Sequence, residues 1–330
     1  MAGAAGGWEV YLSGSSLGGF DEALAVAVYS AGDVVASGYT HEVSGMALDV
    51  AKLSGADGTV RWQYRLPGEE SKPQAVAVDP SGDVIAVGSI DGPGSRDFVV
   101  IRLAGASGQE LWRTVLYGTS TDPDGHWSLG FAVALDQSGD IVSAGSTNNA
   151  QTDEDFTVVK LGSADGHEVW RTVIDGTEHG LDRAFAITTD PAGDIVAVGD
   201  TTNAAFGEDI LVVKLTGTDG REVWRRVIGP SPEARVVSHA SSVAINPTGD
   251  VLVAGSVSDV EVHQTFTVLK LAGADGVELW RAEMGEGQAG VALDDDGNVH
   301  RVRHGWRAVC GDEAFGDRRV RAVDENGGTR

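Results

Sequence analysis

The chain has a single cysteine, Cys310, in 330 residues. One thiol excludes an intrachain disulfide and any metal centre built from several cysteines. Basic residues are scarce: 24 Lys and Arg stand against 49 Asp and Glu, a net charge of −25. That balance argues against nucleic acid as a partner, because phosphate binding needs a basic surface. No run of about 18 apolar residues occurs, so no membrane-inserted helix is expected. The opening Met1–Gly7 has neither the basic nor the apolar region of a signal peptide. As written the sequence reads as cytoplasmic; if its N-terminus is truncated, it reads as extracytoplasmic. Sustained helical periodicity is also missing. What the chain does have is 46 glycines and 42% apolar residues, enough for a full core.

Internal repetition dominates the rest. A Gly-Asp pair recurs at Gly32-Asp33, Gly82-Asp83, Gly139-Asp140, Gly193-Asp194 and Gly249-Asp250, and a sixth copy reads Gly297-Asn298. Tryptophan recurs in step at Trp8, Trp62, Trp112, Trp170, Trp224 and Trp280. In one unit, Ala184–Asp190 alternates and stops at Pro191-Ala192-Gly193-Asp194. Ile195–Gly199, Ile210–Leu215 and Glu222–Ile228 follow, the last two joined by Thr218-Asp219-Gly220. These are four short β-branched runs bounded by turn chemistry. Four antiparallel strands repeated about six times predict an all-β fold, a β-propeller of about six blades with the last incomplete. The small Ala-Val-Ala-Val runs suit the crowded axis, and the Trp strand suits the outer edge.

Leu161, Asp165, Gly166 and Trp170, with Gly four residues before Trp, recur as Gly58/Trp62, Gly108/Trp112, Gly220/Trp224 and Gly276/Trp280. This pattern resembles bacterial propeller repeats of the pyrroloquinoline-quinone-like type over residues 8 to 299. The resemblance implies that each Trp docks on the neighbouring blade. It also implies no quinone site, because the quinone-dependent enzymes of that family use an adjacent Cys-Cys pair. Sialidase-type Asp boxes are a poorer fit: there one residue separates Asp from Gly, whereas here they adjoin.

Residues 1–299 read as propeller repeats; residues 300–330 read as an aberrant tail, expected to be poorly ordered. Back-translated and moved one nucleotide forward, His300–His304 permits Ile-Ala-Ser-Gly-Thr. Ala308–Phe315 permits Arg-Phe-Ala-Val-Thr-Lys-Leu-Ser, and Gly316–Asp324 permits Gly-Thr-Asp-Gly-Ser-Glu-Arg-Trp-Thr. That is another copy of the repeat, so a one-nucleotide frameshift is expected near codon 300. The bland alternative is a basic tail that binds the acidic body. As written, the last blade is expected to keep little beyond an inner strand, Gly290–Leu293, and the Trp8 segment looks like the outer strand of a preceding blade.

In an up-and-down blade alternate connections share a face. The Pro-x-Gly-Asp and Asp-Gly turns therefore lie on one face and the long, variable connections on the other, where function is expected. Candidate ligand-binding residues there are Asp122, Asp124, His126 and Trp127 in the longest loop. Glu178, His179, Asp182 and His239 occupy its counterparts, and Asp155, Asp209 and His263 the second loop type. Histidines and carboxylates near an axis suit a divalent cation such as Ca²⁺, a polar ligand, or acid–base work. No cofactor is required by the sequence. Solvated loop residues making local turns are the plainer reading. Asp79, Asp136 and Asp190 read as Asx-turn residues more readily than as an axial ring. Lys52, Arg102, Lys160, Lys214 and Lys270 share one repeat position and read as cross-strand partners of a Glu one hairpin away, as in Lys160 and Glu168. The preferred function is a non-catalytic propeller that binds a protein or glycan on its variable-loop face. The alternative is a propeller-type hydrolase or lyase, Ca²⁺-assisted in one form.

Overall fold

A computed structural model describes residues 7–303, apart from 17–18, 69, 93–94, 122–125, 204–206, 230–235, 260, 262, 284–288 and 294–298. Every described element is a strand. The first sheet is β1 (Glu22–Val28), β2 (Val34–Glu42), β3 (Gly45–Leu53) and β4 (Val60–Leu66). The second is β5 (Lys72–Val78), β6 (Val84–Gly92), β7 (Ser95–Leu103) and β8 (Glu110–Leu116), with β9 (His126–Trp127) added in parallel to β7. The third is β10 (Leu129–Leu135), β11 (Ile141–Asn149), β12 (Asp153–Leu161) and β13 (Glu168–Ile174). The fourth is β14 (Arg183–Thr189), β15 (Ile195–Thr202), β16 (Glu208–Leu215) and β17 (Glu222–Ile228). The fifth is β18 (His239–Ile245), β19 (Val251–Ser258), β20 (Gln264–Leu271) and β21 (Glu278–Glu283). A sixth, two-stranded sheet pairs β22 (Ala289–Leu293) with β23 (Val299–Arg303). Strand order within each four-stranded path follows the sequence.

The sheets are blades of a propeller. Their first strands, β1, β5, β10, β14, β18 and β22, contact one another in sequence and mark the hub. Each apolar cluster straddles two consecutive blades: one joins Val142, Phe156 and Trp170 to Ile195, Leu211 and Val213, and the next joins Val196, Val212 and Trp224 to Val251, Val253 and Leu269. Among the described residues, no blade has a core of its own. Burial on both faces therefore requires a neighbour on each side.

The indoles lock this stacking. Trp62 Nε1 donates to Gly105 O (3.0 Å), Trp112 to Ser163 O (3.1 Å), Trp170 to Gly217 O (3.3 Å) and Trp224 to Gly273 O (3.1 Å). In each case the acceptor lies in the turn between the third and fourth strands of the next blade. Trp8 treats the first blade the same way, donating to Gly55 O (3.0 Å). Residue 8 thus holds the place of an outer-strand Trp from a preceding blade. The turn glycines Gly58, Gly108, Gly166, Gly220 and Gly276 have φ of +68° to +72°. A Cβ at any of them would come within 2.5–2.6 Å of the docked indole. Glycine is needed there both for its backbone and for its lack of a side chain.

Candidate functional site on the loop face

The tight-turn face uses up its own charges. Asp190 Oδ1 accepts the backbone N–H of Ala192 (2.8 Å) and of Asp194 (2.9 Å), and its Oδ2 meets Lys214 Nζ at 2.7 Å. Asp136 repeats this with Lys160 at 2.6 Å, and Asp79 with Arg102 at 2.7 Å. These carboxylates are Asx-turn residues. The expected Lys160–Glu168 pair does not form. A register shift sets Trp170 opposite Lys160 and Glu168 opposite Leu161, so Glu168 pairs with Arg171 instead (2.6 Å). Lys160 also donates to Gly217 O of the next blade (3.2 Å), as Lys214 does to Gly273 O (3.1 Å).

On the opposite face, a polar residue just before the inner strand of each of the first five blades, exposed in the first and buried in the other four, ties down the far end of the second strand. Ser128 Oγ accepts Asn148 N–H (3.2 Å) and Ser238 Oγ accepts Ser258 N–H (3.0 Å). Asp21 accepts His41 N–H (2.7 Å). Asp182 fills this position in the fourth blade. Its Oδ1 accepts Thr202 N–H (2.8 Å) and its Oδ2 accepts Gly176 N–H (2.8 Å). Burial pushes its pKa up to about 6. Asp182 is therefore a strut of the repeat, and two backbone donors already occupy its oxygens.

The other predicted residues divide by environment. Asp122 and Asp124 lie outside the described residues. His126 belongs to β9, opposite Ser95 of β7. Trp127 is half exposed, with the Arg96 guanidinium 5.1 Å from its ring centroid. His179 turns back on Asp175 of its own loop (2.7 Å), as His263 does on Asp259 (3.1 Å). Glu178 is partly exposed. Asp155 is buried, with Oδ2 accepting from Asn149 Nδ2 and Thr152 Oγ1 (both 2.7 Å), and burial raises its pKa. Asp209 is buried beside Asn203 (3.2 Å) and raised for the same reason.

His239 is the predicted residue with the most consequential surroundings. It opens β18 and faces Asp200 from the end of β15 and Glu208 from the start of β16. Its Nδ1 lies 3.6 Å from Asp200 Oδ2 and 4.0 Å from Glu208 Oε2. Asp200 is 2% exposed. Neither Asp200 Oδ1 nor His239 Nδ1 has a hydrogen-bond partner. The Asp200 carboxylate raises the pKa of His239, while burial and then Asp200 raise that of Glu208. Arg183 stands nearby but gives its Nε to Glu154 (2.9 Å). Among the described residues, two groups bring three such side chains within ligand distance: Asp200/Glu208/His239 and Asp155/Asp175/Asp182.

The sequence reading missed Asp200. The signal was the repeat itself, because the residue after the second-strand glycine is Tyr39, Ser89, Ser146, Asp200 and Ser256 in successive blades. Only the fourth blade puts a charge there.

Comparisons with known proteins agree with this architecture. The family model described as outer membrane protein assembly factor BamB matches residues 96–263. Hydrazine synthase from Kuenenia stuttgartiensis is similar in structure at a TM-score of 0.51 and 15% identity, over 83% of this chain and 71% of that one. A protein of unknown function from Dyadobacter fermentans is similar at 0.51 and 12%, over 83% and 87% of the two chains. The Dos1 propeller is similar at 0.50 and 11%, over 85% and 64%. At these identities the likeness shows the fold alone. No curated protein matches the sequence. The docked tryptophans, the glycine turns and a family match over half the chain lead to one assignment: this chain belongs to the BamB-type family of pyrroloquinoline-quinone-like β-propeller repeat proteins.

Proposed function

We propose that this protein is a non-catalytic propeller that binds another protein on its variable-loop face. The contrast between the faces carries this reading. On the tight-turn side, recurrent ion pairs and Asx turns consume the inner carboxylates. On the loop side, Trp127 is half exposed, and buried carboxylate oxygens of Asp155, Asp200 and Asp209 lack partners. An amphipathic indole beside an arginine is the composition that dominates protein interfaces. The family's description as an assembly factor supports a role exercised through other proteins. A glycan reading rests on the same Trp127, but Arg96 lies over that ring and leaves less of it for a sugar to stack on. The hydrolase or lyase reading, with or without Ca²⁺, rests on fold analogy.

Co-purification of the full chain from cells that make it tests the reading. A protein retained by the wild type and by Ser138→Ala on the turn face, but lost with Trp127→Ala and Arg96→Ala, is the expected outcome. Equal retention by all four overturns it.

A further inference from the structure

The repeat supplies an internal control for each blade junction. Three positions meet there: the residue after the second-strand glycine, the residue opposite the third position beyond that glycine, and the first residue of the next inner strand. Between the third and fourth blades they are Ser146, Glu154 and Arg183. That trio is closed, because Glu154 Oε2 accepts both Ser146 Oγ (3.0 Å) and Arg183 Nε (2.9 Å). Between the fourth and fifth blades the same positions hold Asp200, Glu208 and His239. Serine has become a carboxylate and arginine an imidazole. The junction goes from one negative and one positive group, mutually satisfied, to two carboxylates and a histidine with orphaned atoms.

We infer that Asp200, Glu208 and His239 form a binding site for a divalent transition-metal ion. Asp200 is 2% exposed, and its Oδ1 has no partner while its Oδ2 faces the imidazole. A carboxylate buried without a hydrogen bond is costly, and a cation accounts for it. The ligand atoms lie within 4.8 Å of one another. A four-coordinate ion with bonds of about 2.0–2.2 Å sets its ligand atoms about 3.3–3.6 Å apart. The Nδ1–Oδ2 separation of 3.6 Å meets that, and the 4.0 Å to Glu208 Oε2 closes with a small movement of that partly exposed carboxylate. One imidazole with two carboxylates selects zinc or manganese over calcium, which prefers an all-oxygen shell. The three ligands come from two blades, so the ion would also bridge a blade junction. This inference does not depend on the protein-binding reading.

Titration calorimetry of the full chain with Zn²⁺ and with Mn²⁺ tests it, beside Asp200→Asn, His239→Gln and Asp175→Asn. Saturable binding of one ion, weakened at least tenfold by the first two substitutions and unchanged by the third, is the expected result. Thermal melting of each variant without metal establishes that it folds, and metal should raise the wild-type midpoint but not that of the two site variants. Absence of saturable binding by the wild type overturns the site. So does binding that survives both site substitutions, which would mark adventitious histidines.

A separate observation concerns the sixth blade. In the five complete blades the inner strand pairs with a glycine: Ala23↔Gly38, Pro73↔Gly88, Gly130↔Gly145, Ala184↔Gly199 and Ala240↔Gly255, each followed by a register shift. A Cβ at any of these glycines would lie 1.8–2.2 Å from the carbonyl oxygen of the first inner-strand residue. In the sixth sheet the equivalent pair is Ala289↔Arg303, with no shift. Trp280, whose docking turn would come from that blade, is 40% exposed, against 7–9% for Trp62, Trp170 and Trp224. The geometry points to a sixth blade encoded one nucleotide out of frame, because the shifted reading puts glycine at 303 and supplies the Thr-Asp-Gly and Trp of the repeat further on. The nucleotide sequence around codon 300 tests this. A single insertion or deletion that regenerates Ile-Ala-Ser-Gly is expected; if no single shift does so, the inference fails.

Discussion

Gly220 shows how much a single position carries. Its φ is +68°, and a Cβ would sit 2.5 Å from Trp170. Gly193 has a φ of +89° but nothing within 4 Å. Gly193→Ala should therefore cost only the left-handed backbone penalty, about 1–2 kcal/mol. Gly220→Ala should cost about 1–3 kcal/mol more, because the indole must move as well. Urea unfolding of the two variants measures the difference; equal losses would show that the Trp yields freely. Asp182 offers a pH test. Burial raises its folded pKa to about 6 against an ordinary 3.8. Its contribution to stability is thus full below about pH 4 and lost as the pH rises through about 6, a change of at most about 3 kcal/mol. Asp175 pushes the same way and Asp155 lies beside it, while His179 sits on Asp175. Asp182→Ser keeps the Thr202 contact in the form that Ser128 and Ser238 use. The variant should lose less stability than the wild type between pH 4 and pH 7, and parallel curves would contradict the assignment.

Strands and turns were the most legible scale. Gly-Asp, Asp-Gly and the spaced Trp are local signals repeated in every blade, and local signals survive into structure because neighbouring residues fix the turn before any distant contact forms. The inner, middle and outer strands fall where alternation and residue size place them. Partners across elements were harder to read. Lys160 is close in sequence to Glu168, yet the bulge between Lys160 and Leu161 shifts the register and sends the ammonium to Asp136. His239 was visible as a candidate, but Asp200 and Glu208 come from strands of the preceding blade, and no local pattern announces that meeting. Subtracting one blade from the next would have exposed Asp200. The ion pairs that join turn to strand give an element-scale prediction. Lys214 and Asp190 are 8% and 6% exposed, so Lys214→Ala leaves a buried carboxylate unpaired and should cost roughly 3 kcal/mol. Lys270, whose side chain is 23% exposed and whose partner is Asp250, should cost clearly less on the same substitution. Denaturant midpoints of the two variants decide this, and equal losses would mean that burial is not the governing factor.

For the whole molecule, the repeat explains stability and the departures from it explain function. An array of blades with cores shared between neighbours makes each docked indole a structural necessity. Trp170→Ala should destabilise by about 3–5 kcal/mol, whereas Trp280→Ala, at 40% exposure, should cost much less. The same array presents two chemically different faces, one closed by repeated ion pairs and one left with a half-exposed indole and single carboxylate oxygens without partners. That asymmetry is the central claim. Its most direct test is site-specific photo-crosslinking in the cells that produce the protein, with an aromatic crosslinking residue, which keeps a ring beside Arg96, in place of Trp127 on the loop face, or with the same residue in place of Ser138 on the turn face. Protein adducts from position 127 and none from position 138 are the predicted result; adducts from position 138 alone, or equally from both, would contradict it.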